Sequence, residues 1–324
     1  MAVYTDLSDA ELEAFLAAYD LGAPVSFKGI AEGVENSNFV LETAKGRFIL
    51  TVYERRVREA DLPFFLSLME WLADRGFPSA RPIADKSGQR LGRVRDRPAA
   101  IISFLPGLSV RRPTPEHCAG AGVGLSGLHQ AAEGFPASRP NDLGAASWKR
   151  LFKGLEVRAE ALRGGLADEV ASDLDQLERA WPRQLPSGVV HADWFPDNVF
   201  FRSRAFAGAI DFYFAANDLL AYDLAIALNA WCFDDDGGFS TPRARALVDG
   251  YERGRPLSAA ERAGLPLLAQ GAAMRFFLTR LADWGDDRPG ALVRPKDPLE
   301  FERRLAFHRR AVRAGGGLDG LLAA

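Results

Sequence analysis

The sequence has little cysteine and no long hydrophobic run. Its 324 residues include only Cys118 and Cys232, which exclude a disulfide framework, and neither has a neighbouring Cys or His at zinc-ligand spacing. No segment approaches the ~18 unbroken apolar residues of a membrane-spanning helix. The start, MAVYTDLSDAELEAFL, lacks the basic end and apolar core of an export signal. We therefore expect a cytoplasmic protein with no membrane partner.

The sequence also lacks an excess of positive charge. Lys and Arg together number 40 against 43 for Asp and Glu, which gives a net charge of −3. Nucleic acid is therefore not an expected partner, because its recognition requires a basic surface. A composition of 48% hydrophobic and 26% charged residues is typical of a soluble globular protein. The length favours two lobes, and we expect a monomer or a homodimer with a small-molecule substrate.

Secondary-structure signals change in character along the chain. Helical periodicity over residues 5–20 begins with a capping box formed by Ser8 and Glu11, and strand patterns follow, including a hairpin in NFVLETAKGRFILTVYE. Residues 59–75 read as a helix, and two more strands end at Pro106-Gly107. Beyond them helical patterns dominate. The sequence predicts an α+β fold, with a small antiparallel-sheet N-lobe at residues 1–105 and a larger, mainly helical C-lobe at residues 106–324.

Two β-like segments interrupt the helical part and carry an unusual set of polar residues. VVHADWFPDNVFF contains Asp193 and Asn198, and AFAGAIDFYFA contains Asp211, thirteen residues beyond Asn198. Oxygen-bearing side chains of this kind suit Mg²⁺. The spacing H-x-D-x-x-x-x-N followed by I-D-F parallels the catalytic loop and metal-binding motif of protein kinases. The ordered pair predicts phosphoryl transfer.

This motif resembles that of the phosphotransferase family of aminoglycoside and choline kinases, and the order of sheet before helices matches its kinase-like fold. The resemblance implies ATP bound between the lobes, with Asp193 as catalytic base and Mg²⁺ on Asn198 and Asp211. His191 would support the loop.

Other segments narrow the resemblance. GVENSNFVL, DLPFFLSLMEWLADRGFPSARPI, AAIISFLPG, AAMRFFLTRLADW and KDPLEFERRL resemble homoserine kinases of the aminoglycoside-phosphotransferase-like type. That implies phosphorylation of L-homoserine by ATP, a step toward threonine. The alternatives are a kinase of the same fold acting on an aminoglycoside, choline or a sugar, and a catalytically weak nucleotide-binding pseudokinase.

The nucleotide would contact two parts of the N-lobe. One is the turn GIAEGVENSN, where glycines permit close approach and polar side chains offer donors; its candidates are Gly33, Asn36, Ser37 and Asn38. The other is a hinge at Ser103, Phe104 and Leu105.

The family's strand-3 lysine is missing. Thr51 stands in its place, and Phe65 or Leu66 stands where the glutamate partner is expected. Another cation would serve the phosphates; the candidates are Lys28, Arg55 and Arg56.

Homoserine would also need partners for its carboxylate and its ammonium. The planar fork of arginine suits a carboxylate, so Arg275 and Arg280 are candidates, although Arg275 could equally be a buried arginine that locks helices through an aspartate. For the ammonium the candidates are carboxylates or aromatic faces, namely Asp234, Asp283, Trp231 and Trp284. Asp223 in AYDL is interpreted as a cap or brace of the helix that follows the metal loop.

Overall fold

The structure is a computed structural model that describes residues 7–30, 36–54, 57–285 and 296–323. The chain forms two compact units. The first, the sheet unit, contains the described residues up to Pro106 together with Gly208–Tyr213. The second, the helical unit, contains Gly107–Ala207 and the described residues from Phe214 onward.

The sheet unit is built on five antiparallel strands in the order β1-β2-β3-β5-β4. The strands are β1 (Pro24–Gly29), β2 (Asn36–Thr43), β3 (Gly46–Tyr53), β4 (Gly92–Val94) and β5 (Arg97–Ser103). The predicted hairpin is β2 and β3, paired from Asn36 opposite Tyr53 to Thr43 opposite Gly46. The described residues of this unit also form two α-helices, α1 (Asp9–Leu16) and α2 (Leu62–Asp74).

Local sequence signals explain where these helices begin. Ser8 caps α1, and its capping box with Glu11 is formed as predicted. Pro63 lies in the first turn of α2, where its missing N–H costs nothing. Leu12 and Leu16 of α1 pack into one core with Leu41 of β2, Leu50 of β3 and Ile101 of β5. A buried apolar face thus fixes the register of the sheet.

The helical unit contains nine helices within the described residues. They are α3 (Pro115–Ala131), α4 (Trp148–Phe152), α5 (Glu156–Leu162), α6 (Leu166–Ala180), α7 (Leu220–Trp231), α8 (Thr241–Glu252), α9 (Ala259–Asp283), α10 (Leu299–Ala314) and α11 (Gly317–Ala323). None of the helices in the described part of the chain is long and apolar enough to cross a membrane.

Helices α3 and α8 approach each other very closely. A Cβ on Gly122 of α3 would lie 2.1 Å from the Leu247 carbonyl oxygen, and one on Gly250 of α8 would lie 2.2 Å from that of Ala119. Because only glycine avoids these clashes, the two positions require it. The contact brings the backbones of both helices together.

Short strands follow α6 and carry the sequence motif. Strand β6 (Ser187–Val190) pairs antiparallel with β9 (Ala216–Leu219), and β7 (Val199–Arg202) pairs with β8 (Ala205–Ala209). Asp193 and Asn198 lie in the connection from β6 to β7, and Asp211 follows β8. Both motif segments therefore lie at strand ends.

Candidate active site

The connection after β6 begins with a strained residue. Ala192 is fully buried and has φ 61°, in the left-handed region. A non-glycine residue there costs about 1–2 kcal/mol. Such a conformation persists only when its surroundings hold it in place. The contacts of this turn supply that constraint.

Asp223 holds the turn from one side. It lies in the first turn of α7, is fully buried, and accepts hydrogen bonds from His191 N at 2.7 Å and Ala192 N at 2.9 Å. Its Oδ2 also lies 3.1 Å from His129 Nε2. Burial would raise the pKa of Asp223, but the hydrogen bond and charge of His129 outweigh burial and lower it. Asp223 is thus an ionised anchor for two backbone amides.

Arg275 holds the same turn from the other side. It lies in α9 with 2% of its surface exposed, and its Nη1 donates to the Ala192 carbonyl oxygen. Its guanidinium lies 4.6 Å from the ring centroid of Phe276 and 5.5 Å from that of Phe214. Both polar groups of Ala192 are therefore bound by buried charged side chains. The predicted carboxylate-binding role of Arg275 stays a prediction; the contacts here are those of a brace.

Asp193 and Asn198 are in direct contact. Asn198 Nδ2 donates to Asp193 Oδ2 at 2.8 Å and to Asp193 O at 2.9 Å. The Asp193 backbone N–H donates to His191 Nδ1 at 3.2 Å, so His191 braces the loop. Burial raises the pKa of Asp193, and the charges of Arg275 and His191 oppose that effect. A carboxyl with a raised pKa is suited to accept a proton from a hydroxyl.

The donor set fits a hard cation. Because the Asn198 amide nitrogen is used by Asp193, its carbonyl oxygen is the atom left for a metal, and Mg²⁺ prefers such oxygens. A group of three or more His, Cys, Asp or Glu side chains placed to hold a metal does not occur among the residues that the structure describes. A Mg²⁺ site made of one amide oxygen, one carboxylate and phosphate oxygens of the nucleotide would be consistent with this finding, since Mg²⁺ is usually bound by few protein ligands.

Asp211 belongs to the sheet unit, where it occupies a second strained turn with φ 64°. Tyr213, two residues later, places its hydroxyl 3.1 Å from the hydroxyl of Tyr53 on β3, and the rings meet edge to face. Burial raises the pKa of both phenols, and the Asp211 charge adds to the effect. Burial and the Asp211 charge therefore both favour the protonated form of the two hydroxyls.

Strand β3 carries a neutral network where the family has a lysine. Thr51 is 2% exposed, and its hydroxyl donates to Asn38 Oδ1 at 2.8 Å. The side chain at the position of the strand-3 lysine is therefore uncharged and is bound by an uncharged amide.

The predicted nucleotide-binding side chains of β2 are partly engaged within the protein. Asn36 Oδ1 accepts from the Glu54 backbone at 3.3 Å, and Ser37 donates to the Glu54 carboxylate at 2.8 Å. Lys28 is exposed on β1. Three other predicted residues, Gly33, Arg55 and Arg56, lie outside the described residues.

The predicted hinge residues end the sheet unit. Ser103 is the last residue of β5, and its hydroxyl accepts from Arg81 N at 2.8 Å. The Phe104 ring lies 5.2 Å from the Arg47 guanidinium, and Leu105 is half-buried. Their adenine-binding role stays a prediction.

The other predicted substrate residues lie in varied surroundings. Trp231 is fully buried and its indole donates to Trp194 O at 2.8 Å, which is a packing role. Asp234 pairs with Arg243 at 2.5 Å, and Arg280 pairs with Glu300 at 2.5 Å. Their roles toward homoserine stay predictions.

The fold and the Asp193 turn define a kinase-like phosphotransferase. The model of the phosphotransferase enzyme family matches residues 26–257, and the chain belongs to that family. Among curated relatives, the homoserine kinase of Caulobacter vibrioides (strain NA1000 / CB15N) is 64% identical over 313 residues, 96% of this chain and 99% of that protein. The homoserine kinase of Phenylobacterium zucineum (strain HLK1) is 65% identical over 309 residues, 95% of this chain and 96% of that protein.

A solved structure shares the fold. Amicoumacin kinase hAmiN, in complex with AMP-PNP, Ca²⁺ and Ami, matches with a TM-score of 0.68 at 15% identity, over 96% of this chain and 95% of that one. The predicted kinase-like α+β fold is confirmed.

Proposed function

We infer that this protein is an ATP-dependent kinase that phosphorylates the side-chain hydroxyl of L-homoserine to O-phospho-L-homoserine. The observation that carries this inference is the 64% identity to a homoserine kinase over nearly the full length of both chains. The geometry of the Asp193 turn supports the same reaction class. The match covers 96% of this chain and 99% of that protein, so it extends well beyond the shared kinase motif.

In the proposed mechanism, Asp193 orients the homoserine hydroxyl and accepts its proton. The hydroxyl oxygen attacks the γ-phosphorus of ATP, and the bond from that phosphorus to the β,γ-bridging oxygen breaks, which releases ADP. Asn198, held against Asp193, keeps the carboxylate in one orientation. The buried Asp223 and Arg275 fix the backbone of the turn, so that no reorganisation is needed when the substrate binds.

Mg²⁺ is the proposed partner of the Asn198 carbonyl oxygen and the Asp211 carboxylate, where it would offset charge on the phosphates. The polar side chains of β2 and the residues at the end of β5 remain the proposed contacts of the nucleotide; these are Asn36, Ser37, Asn38, Ser103, Phe104 and Leu105. These roles follow the motif and agree with the chemistry of each side chain.

A coupled ADP-release assay tests the function. The purified protein is supplied with Mg·ATP and, separately, L-homoserine, choline, kanamycin or no acceptor. We expect turnover with L-homoserine and rates near the no-acceptor background with the others. Turnover with L-homoserine no higher than background would contradict the proposed substrate, and activity with another acceptor would assign a different kinase of the same fold.

A further inference from the structure

One exposed lysine lies beside the catalytic turn. Lys296 lies shortly before α10, and its Nζ is 5.9 Å from the ring centroid of Phe195. Phe195 is two residues after Asp193, and its backbone N–H donates to Asp193 O at 2.8 Å. Ring and carboxyl are therefore parts of the same tight turn. The Lys296 charge also acts on the Asp193 carboxyl and lowers its pKa.

The other cations near this ring have protein partners. Phe195 packs against Phe276 and Phe301. Three arginines lie over those rings and donate hydrogen bonds to protein acceptors: Arg275, Arg280 and Arg304. Within the described part of the chain no ion pair engages the Lys296 ammonium, which is exposed. Among the cations that the structure describes in this cluster, Lys296 is thus the one that a ligand can reach.

We propose that Lys296 binds an anionic group of the reacting molecules beside Asp193, either the carboxylate of the acceptor or the γ-phosphoryl group of ATP. The proposal rests on the proposed function. Phe195, two positions after the proposed base, is uncharged. Lys296, about a hundred residues later in the chain, places its ammonium group near the Phe195 ring. An ammonium is a compact charge with three donors, and it serves carboxylate and phosphate equally.

The two sources of the anion predict different kinetic effects. The test compares Lys296→Met with wild type, using L-homoserine and 3-aminopropan-1-ol, the same molecule without the carboxylate. If Lys296 binds the carboxylate, KM for homoserine rises about tenfold or more, and the effect disappears with the amino alcohol. If Lys296 binds the phosphoryl group, kcat falls about 10²-fold with both acceptors, as for loss of a donor to transition-state charge.

Two control variants separate the charge at this position from charge in general. Lys296→Arg retains the cation and should keep most of the activity. Lys153→Met removes an exposed lysine at the end of α4 and should leave both kinetic constants unchanged. Thermal unfolding of each variant should match wild type, since both lysines are exposed.

Lys296→Met with kcat and KM within twofold of wild type for both acceptors would overturn the proposal while leaving the homoserine kinase activity intact. Absence of homoserine turnover in wild type would instead overturn the proposed function. In that case calorimetric titrations with Mg·AMP-PNP and with L-homoserine decide the proposal: weaker binding of either ligand by Lys296→Met supports the corresponding contact, and equal affinity of wild type and variant for both ligands rejects the proposal.

Discussion

Two turns carry the acidic residues of the motif, and both pass through a left-handed residue, Ala192 in the helical unit and Asp211 in the sheet unit. The first turn is held by buried charges, Asp223 on its amides and Arg275 on its carbonyl oxygen. The second is followed at once by a neutral pair of tyrosine hydroxyls. The difference is that the turn carrying the proposed base is held by buried charged side chains, whereas the aspartate proposed for Mg²⁺ is followed by uncharged hydroxyl groups.

The largest effect is expected at Asp193, the proposed base. Asp193→Asn keeps an oxygen for the Asn198 amide but cannot accept a proton, so kcat should fall by about 10²–10⁴-fold with KM little changed. Steady-state kinetics with L-homoserine measure it, and Asp197→Asn, at an exposed neighbouring position, is the control. A kcat of the Asp193 variant within threefold of wild type would remove Asp193 from the role of base.

Asp223→Asn removes the buried negative charge that binds the backbone amides of His191 and Ala192. The amide offers one acceptor oxygen for two backbone donors, so we expect a loss of about 3–5 kcal/mol in the free energy of unfolding, the usual cost of breaking a buried charge pair. Urea unfolding measures the loss. Asp175→Asn removes an exposed partner of Lys149 and should change stability by less than about 1 kcal/mol. Equal effects of the two variants would contradict an anchoring role for Asp223.

The helical unit also contains a buried histidine that is neutral, in contrast to the ionised Asp223. His308 is fully buried against Asn229 at 3.0 Å, and burial lowers its pKa from 6.5 to about 3. Between these values the unfolded chain binds a proton that the folded chain does not. The stability contributed by neutral His308 is therefore complete above pH 6.5 and is lost as the pH falls toward 3, at up to about 1.4 kcal/mol per pH unit.

This pH dependence is measured by urea unfolding of wild type and His308→Gln between pH 7 and pH 4.5. The variant should lose stability less steeply as the pH falls. His117→Gln, at a half-buried position in the first turn of α3, is the matched control for the same change of side chain. Parallel curves for wild type and His308→Gln would show that His308 does not contribute to the acid sensitivity.

The smallest effect is expected at the neutral pair. Tyr53→Phe and Tyr213→Phe each remove one hydroxyl of the same hydrogen bond, at a cost of about 1 kcal/mol each. The double variant should cost less than the sum, because both changes break one bond. This double-mutant cycle is measured by urea unfolding and by the Mg²⁺ concentration that gives half the maximal rate. Tyr19→Phe is the control. Strict additivity would show that the hydroxyls act separately.

The features that could be predicted from the sequence are those that depend on residues close together in the chain. The Ser8 capping box and the β2–β3 hairpin are local, and both are formed as predicted. The contact between Asp193 and Asn198 is also local, and their roles in catalysis stay predictions. The partners of the turn are not local: Asp223 lies about 30 residues away and Arg275 about 80. Arginine amid apolar residues signalled burial, but no periodicity identifies the carbonyl oxygen that it binds.

The close crossing of α3 and α8 connects the turn that carries Asp193 to residues outside the proposed active site. Tyr251, next to Gly250, lies 2.9 Å from His129 Nδ1, and the same imidazole contacts Asp223. A side chain at Gly122 or Gly250 would push the helices apart and withdraw Tyr251 from that chain of contacts. Some inactive variants of this enzyme will therefore map to two glycines with no chemistry of their own.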